Sequence, residues 1–468
     1  GERTAAKRKQ ALARLHDKVA SITIGDPACG SGNFLTEAYR QLRAIENRII
    51  EDELSEETGN AGQTSFVIAQ DSPVRVSLDQ LYGIEINDFA VSVAKTALWI
   101  TEEQMLRKTQ EIYVDYDFDF LPLRSLSNLH EGNALKTDWS EVFPDDLTYL
   151  VGNPPFLGAR NQSKEQKAEL LEVFDGAKNA GNIDYCGAWY MKAARFTQGK
   201  HTRCALVSTN SICQGEQVAN LWKPLHDLGI HIDFAHNTFR WDNEAADKAH
   251  VFCVIVGFSR EAGSKTLFYH ATPDSDEELI SMNRINSYLK DAPDVFIYSK
   301  SKPISDVPEM GIGSQPIDDG NYLFTDEQKN EFLQREPGAK KFFHKWLGSQ
   351  EFIRGKSRWC LWLGNAKWDE LKNLPICRER VEAVRQYRLK SKRSQTVKAA
   401  ERPAHFGTEI LSDTDSILIP EVSSSRRRYI PMGFVDSSVF CSNKVRLIPN
   451  ATLYQYGVLQ SQLHNAWV

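Results

Sequence analysis

No stretch of this 468-residue chain stays apolar for the roughly 20 residues that a membrane-spanning helix needs. The opening Gly1-Glu2-Arg3-Thr4-Ala5-Ala6-Lys7-Arg8-Lys9-Gln10 lacks the apolar core of a secretory signal. None of the eight cysteines (29, 186, 204, 213, 253, 360, 377 and 441) stands in a C-x-x-C pair. Scattered thiols fit neither a disulfide framework nor a structural zinc site, so reduced cysteines in a cytosolic protein, without metal or membrane, are the plain reading. There is no internal repeat and no long low-complexity segment. The dinucleotide fingerprint is incomplete too: Gly30 and Gly32 give G-x-G with no third glycine.

The chain is long enough for two or three domains. Its net charge of −6 is unevenly spread. Residues 341–400 hold 15 Lys/Arg against 5 Asp/Glu, a local +10, which leaves −16 for the remainder. A basic block on an acidic chain points to a polyanionic partner, because phosphate contacts supply much of nucleic-acid affinity. A solvated charged face is the competing account.

Leu12, Leu15 and Val19 predict a helix over 7–20, followed by a strand over 21–25. A second helix runs from Phe34 to about Ile50, and the acidic stretch Glu51–Asn60 reads as loop. Further strands are expected at 80–86, within 127–135, and at 147–151, 205–209, 230–234 and 250–258. Helices are expected at 88–108 (capped by Asp88), 163–174, 185–198 (capped by Asp184) and 215–228. Strands too apolar to face water, alternating with helices, predict a doubly wound, mostly parallel α/β sheet. Asp274–Glu278 and Gly311–Pro316 read as boundary material, with the domain change near residue 300. Beyond it lies an aromatic, basic part with Trp346, Trp359, Trp362 and Trp368.

Three stretches carry chemistry. Asp26-Pro27-Ala28-Cys29-Gly30-Ser31-Gly32-Asn33-Phe34 follows a strand and opens a helix, which is how a nucleotide-like ligand is held. Gly30 and Gly32 allow a tight turn and a close approach, and Asp26 could accept from a cationic amine. Glu85 closes the next strand, where a carboxylate commonly meets a ribose diol. An exposed Glu favouring a helix dipole is the alternative there. In Gly152-Asn153-Pro154-Pro155-Phe156, two prolines stiffen the strand exit. The Asn153 oxygen and the Pro154 carbonyl make two convergent acceptors for an NH₂ group, and Phe156 offers a face to a flat ring. Taken alone, this tetrapeptide is better accounted for by a proline-stiffened exit with a buried Phe.

In their order, Asp26–Phe34, Glu85, Asn133 and Gly152–Phe156 resemble the gamma-class S-adenosylmethionine-dependent DNA amino-methyltransferases. Asp184–Trp189, Ser208–Ile212 and Phe239–Ala245 are similar to later motifs of that family. Arg358–Leu363, Ser423–Pro431 and Leu459–Trp467 resemble one subgroup, the single-chain type IIL/IIG restriction–modification enzymes. The resemblance implies a methyltransferase domain at 1–300 and a mixed α+β target-recognition domain at 301–468. The implied cofactor is S-adenosyl-L-methionine, with no metal for methylation, and the implied partner is double-stranded DNA.

Residue by residue, the resemblance puts Asp26, Ala28, Gly30, Gly32 and Phe34 around the methionine end of the cofactor. Glu85 would hold the ribose, Ile86 would pack on the adenine ring, and Asn133 would meet its amino edge. Many relatives carry Asp at the place of Asn133. Asn153, Pro154, Pro155 and Phe156 would bind a flipped adenine, with Phe239 or Trp241 as a second aromatic wall. Relatives often have Tyr at the place of Phe156, and Phe keeps the stacking face. Arg354, Lys356, Arg358, Lys390, Lys392, Arg393, Arg426, Arg427 and Arg428 are the expected DNA contacts. The family's further cofactor motif is missing upstream of Asp26, and no nuclease constellation is found. These absences imply a fragment that begins inside the methyltransferase, with the nuclease segment upstream in the same polypeptide. Cytosine-N4 transfer, protein-glutamine methylation and a catalytically incomplete DNA-binding fragment are the rival readings.

Overall fold

The computed structural model describes residues 2–58, 72–113, 126–241, 251–424 and 427–467. Two compact units divide the chain, Gly1–Ser299 and Lys300–Val468. All eight cysteines are buried and unpaired. Among the described residues no helix is long and apolar enough to cross a membrane.

Among the described residues, the first unit is built on nine strands: β1 (Ile24–Asp26), β2 (Leu81–Glu85), β3 (Leu129–Glu131), β4 (Tyr149–Gly152), β5 (Arg203–Thr209), β6 (His231–Trp241), β7 (Val251–Ser259), β8 (Lys265–His270) and β9 (Glu277–Met282). Their order is β3-β2-β1-β4-β5-β7-β6-β8-β9. Strands β1 to β5 pair in parallel, and β7 is inserted antiparallel between β5 and β6. The chain winds outward from β1 through β2 to β3, then returns to β4 on the other flank. The strand order therefore reverses between β1 and β4, which in open α/β sheets marks the ligand crevice at the carboxyl ends.

Helices cover both faces because the strands are apolar on both. In β2, Leu81 packs under α1 (Glu2–Ala20), α2 (Asn33–Thr58) and α3 (Asp88–Ile112). Ile84, three residues on and so on the opposite face, joins the cluster under α4 (Lys164–Val173) and α5 (Gly187–Phe196). That second cluster holds fully buried Leu150, Trp222, Tyr190 and Phe258. A buried polar knot ties α1, α2 and β2's approach together. Glu46 pairs with Arg43 and His16 and accepts from the Arg75 and Val76 amides, while Arg43 also donates to Thr109 on α3.

Several local expectations need correcting. Residues 51–58 are helical, continuing α2, because Glu and Leu are good helix formers and the turns need no core beneath them. Asn87, not Asp88, caps α3, its side chain accepting from the Ala90 amide. Asp184 is not the N-cap of α5: the helix starts at Gly187 after Cys186, which makes no side-chain cap, and the Asp184 side chain accepts only from the Cys186 amide there, at 3.4 Å. The helix expected at 215–228 contains a π-helical turn, Val218–Trp222. Glu277 and Glu278 open the edge strand β9, and Gly311–Ile312 is also a strand. His250, placed in the β7 run, lies outside the described residues, as do Asp242–Ala245.

Among the described residues, the second unit has two four-stranded sheets. Strands β10 (Gly311–Ile312), β14 (Ser416–Pro420), β15 (Gly433–Val435) and β17 (Val445–Pro449) form one, ordered β10-β17-β14-β15. Strands β11 (Leu323–Phe324), β12 (Phe343–Leu347), β13 (Trp359–Leu361) and β16 (Phe440–Cys441) form the other, ordered β11-β13-β12-β16. All but one of their pairings are antiparallel, and helix Pro375–Leu389 packs against the aromatic cluster of the second sheet.

Candidate active site

The carboxyl ends of β3, β2, β1 and β4 bring Asn133, Glu85, Asp26 and Asn153 to one edge of the sheet. β1 ends on Asp26, which is fully buried and accepts from the Ala28 amide at 2.9 Å. Burial pushes its carboxyl up to about 7; the Ala28 N–H opposes this and the nearby Glu85 charge adds to it. The turn that follows places Gly30 at φ +52° and Gly32 at φ +85°. A Cβ on Gly32 would also lie 3.0 Å from Ala94, so this glycine serves both the turn and the packing of α2 on α3. The turn delivers the chain into the first turn of α2, which carries no acidic residue and so leaves the positive helix end open to an anion. Phe34, the second residue of that helix, is half-buried, and Ala28 packs on the core.

Glu85 is stapled to that turn. One carboxylate oxygen accepts from Gly30 N at 3.0 Å and the other from Asn87 N at 2.9 Å. Each oxygen keeps a lone pair, enough to take two further hydroxyl donors. Ile86, next along, is 67% exposed and presents an apolar surface beside them. Phe89, 74% exposed at the start of α3, is a second such surface that sequence reasoning missed.

Asn133 is more committed than expected. Its oxygen accepts from Leu135 N, and its amide donates to Glu169 on α4, both at 2.9 Å. Glu169 also accepts from the Tyr185 hydroxyl at 2.6 Å and meets Lys136 at 3.2 Å. One N–H and one oxygen lone pair of Asn133 stay free for a ligand.

β4 passes so close to β1 that a Cβ on Gly152 would stand 3.0 Å from the Asp26 carboxylate. Beyond it Asn153 is exposed, and among the described residues its amide has no hydrogen-bond partner; nor does the Pro154 carbonyl. Pro154 is buried, Pro155 exposed, and Phe156 half-buried against the core. What holds this exit is Asp184. Its carboxylate accepts from Leu157 N at 3.1 Å and from the Thr209 hydroxyl at 3.0 Å, joining the ends of β4 and β5. Behind it, the Trp189 indole donates to the Pro27 carbonyl at 3.0 Å. None of these three bonds leaves a signal in the sequence beyond the residue type.

β6 runs parallel to β5, so its end bearing Phe239 and Trp241 lies on the same edge of the sheet as Asn153. The two rings are 6.1 Å apart and Trp241 is 39% exposed.

In the second unit, Arg354, Arg358 and Arg427 line one concavity of about 840 Å³, with Trp346, Glu351 and Lys444. Lys392 lines another, with Arg385 and Lys398. Lys356, Lys390, Arg393 and Arg428 are exposed, and Arg426 lies outside the described residues. The basic block is not uniform, however. Arg388 is wholly buried and donates to five carbonyls, those of Pro316, Ile317, Ala399, Arg402 and His405. Arg380 lies over the Phe324 ring at 4.7 Å and donates to the Asn321 carbonyl. These two arginines bind protein, not phosphate.

Comparison with known proteins bears on both units. The family described as "MmeI, DNA-methyltransferase domain" matches residues 2–269, and "MmeI, target recognition domain" matches residues 291–468. DNA methyltransferase A of Bacillus subtilis (strain 168) is 38% identical over 464 residues, 98% of this chain and 51% of that protein. The solved type IIL restriction-modification enzyme MmeI in complex with DNA is 42% identical, with a TM-score of 0.89 over 98% of this chain and 61% of that one. The chain thus spans about half the length of that curated relative. It belongs to the MmeI family of DNA methyltransferases, its methyltransferase domain followed by the target recognition domain of that family.

Proposed function

We propose that the chain is the methylation and recognition part of a restriction–modification enzyme, transferring a methyl group from S-adenosyl-L-methionine to N6 of an adenine flipped out of duplex DNA. The observation that carries this is the pair of unpartnered acceptors, Asn153 Oδ1 and Pro154 O, at the exit of β4 beside Asp26. S-adenosyl-L-methionine, when bound, supplies an electrophilic methyl group. The residues around the crevice suit it: ionised Asp26 faces a cationic group, the open end of α2 suits a carboxylate, Glu85 has two free lone pairs for a diol, and Ile86 offers an apolar face.

At the other side, Asn153 and Pro154 accept the two N–H bonds of an exocyclic amine. As that nitrogen loses planarity, its N–H groups turn more acidic and these two hydrogen bonds strengthen. The attacking lone pair needs no prior deprotonation: the N–C bond would form as the methyl's bond to sulfur breaks, and the nitrogen, then cationic, would lose its proton to water afterwards, so no strong general base is required. Phe156 stacks on the extruded base, and Phe239 or Trp241 supplies the opposite face; a stack of this kind is worth about 1–3 kcal/mol, offsetting the unstacking cost. Asp184 holds the rigid Pro154-Pro155-Phe156 exit in place through the Leu157 amide. Arg354, Lys356, Arg358, Lys390, Lys392, Arg393, Arg427 and Arg428 are the proposed phosphate and base contacts of the second unit, with Arg426 beside them in sequence.

The test is methyl transfer to duplex DNA by Asn153→Ala. Loss of one preorganised hydrogen-bonding group at a reacting centre costs about 10²–10³ in rate. The expected result is a loss at least that large with DNA affinity intact. Wild-type turnover by the variant would sink the mechanism.

A further inference from the structure

Three adjacent strands on the far flank of the first sheet place His236 (β6), His270 (β8) and Glu277 (β9) side by side. One ligand atom from each lies within 4.8 Å of the others. The register explains how. His236 pairs with Phe268, two residues before His270 on the same strand face, and His270 is directly opposite Glu277. The scaffold is stiff: Asn237 makes a two-way bridge to the backbone of His270, donating to its carbonyl at 2.9 Å and accepting its amide at 2.6 Å.

The electronic arrangement suits a cation. His270 Nδ1 is 2.9 Å from the Ser275 carbonyl, which can only accept, so Nδ1 carries the proton and Nε2 the free lone pair. His236 stacks flat on Phe268, ring centroids 4.1 Å apart, with its Nδ1 3.3 Å from the Glu277 carboxylate. Ring stacking alone explains His236. It does not explain why His270 is tautomerically fixed and set opposite a carboxylate.

We propose that His236, His270 and Glu277 form a binding site for a divalent transition metal, zinc by its donor set. Two imidazoles and one carboxylate are a three-ligand set for zinc, and the half-exposed Glu277 leaves a side open for a fourth, non-protein ligand. The Phe239 ring stands 5.7 Å from His270 and 6.1 Å from the Trp241 ring, so a bound ion would brace the end of β6. The site is carried by β6, β8 and β9, not by β4, which leads to Asn153, and it does not depend on the reaction proposed above.

Calorimetric titration of the chelator-treated chain with Zn²⁺ tests this, with Co²⁺ absorption as a second readout. The eight cysteines are buried, which limits competing thiol uptake. One ion per chain is expected, with affinity reduced in His270→Ala and in Glu277→Gln by at least the roughly 10–100-fold that loss of even an outer-shell partner costs. Glu277→Gln, at a half-exposed position, keeps the test valid if His270→Ala fails to fold. Absence of stoichiometric uptake, or uptake unchanged in folded Glu277→Gln, overturns the proposal.

Discussion

With the cofactor placed as proposed above, Asp26 would tie stability to cofactor affinity, and Asp26→Asn separates the two. Its carboxyl is raised from 3.8 to about 7, chiefly by burial. A carboxyl whose folded pKa lies above its unfolded value favours folding when protonated. That contribution is full below about pH 4 and is lost as pH rises to about 7, a change of about 4 kcal/mol. Asparagine keeps an oxygen to accept from Ala28 and never ionises. Urea denaturation from pH 4 to 8 should therefore show Asp26→Asn gaining on the parent chain as pH rises, by up to about 4 kcal/mol, with the gain complete near pH 8. The stabilised variant should bind S-adenosyl-L-methionine more weakly, because a cationic ligand needs the ionised carboxylate. In the parent chain, affinity should rise by about tenfold per pH unit below 7 and level off above it, since binding then releases one proton. A stability difference that does not change between pH 4 and 8, together with pH-independent affinity, would refute the reasoning.

Other outcomes follow from single contacts. Phe156→Ala should weaken binding to DNA carrying a mismatched target adenine by about 1–3 kcal/mol, while Phe156→Tyr stays near the parent chain in an equilibrium binding assay. Arg354→Ala should lower DNA affinity and reduce the slope of log K against log salt by about 1, with the melting profile unchanged. Arg388→Ala should do the reverse of that: it takes a charged donor from five carbonyls, of which those of Pro316, Ala399 and Arg402 keep a backbone N–H, and it should cost several kcal/mol of stability in the second unit by urea denaturation.

The first sheet was legible because its strands are buried on both faces, so each reads as an apolar run: Leu147–Val151 and Val251–Phe258 are the clearest. The Gly30/Gly32 turn was legible because positive φ leaves its mark in residue choice. β9 was hidden for the opposite reason. An edge strand with one wet face can open on Glu277-Glu278, which by composition reads as loop. The helical turns at 51–58 were hidden because an acidic surface helix and an acidic loop differ little in polarity. Asp184 was recognised by its motif but given the wrong work, because a hydrogen bond to Leu157 and Thr209 is made across strands, not along the chain. In the basic block, charge could not separate Arg388, which closes a ring of carbonyls, from Arg354, which faces solvent. That difference is set by burial alone.

The central claim is the identity of the acceptor atom. Duplex DNA incubated with the chain and methyl-labelled S-adenosyl-L-methionine, digested to nucleosides and analysed by mass spectrometry, tests it most directly. The account predicts label in N6-methyladenine, absent with Asn153→Ala. Label in N4-methylcytosine would contradict it.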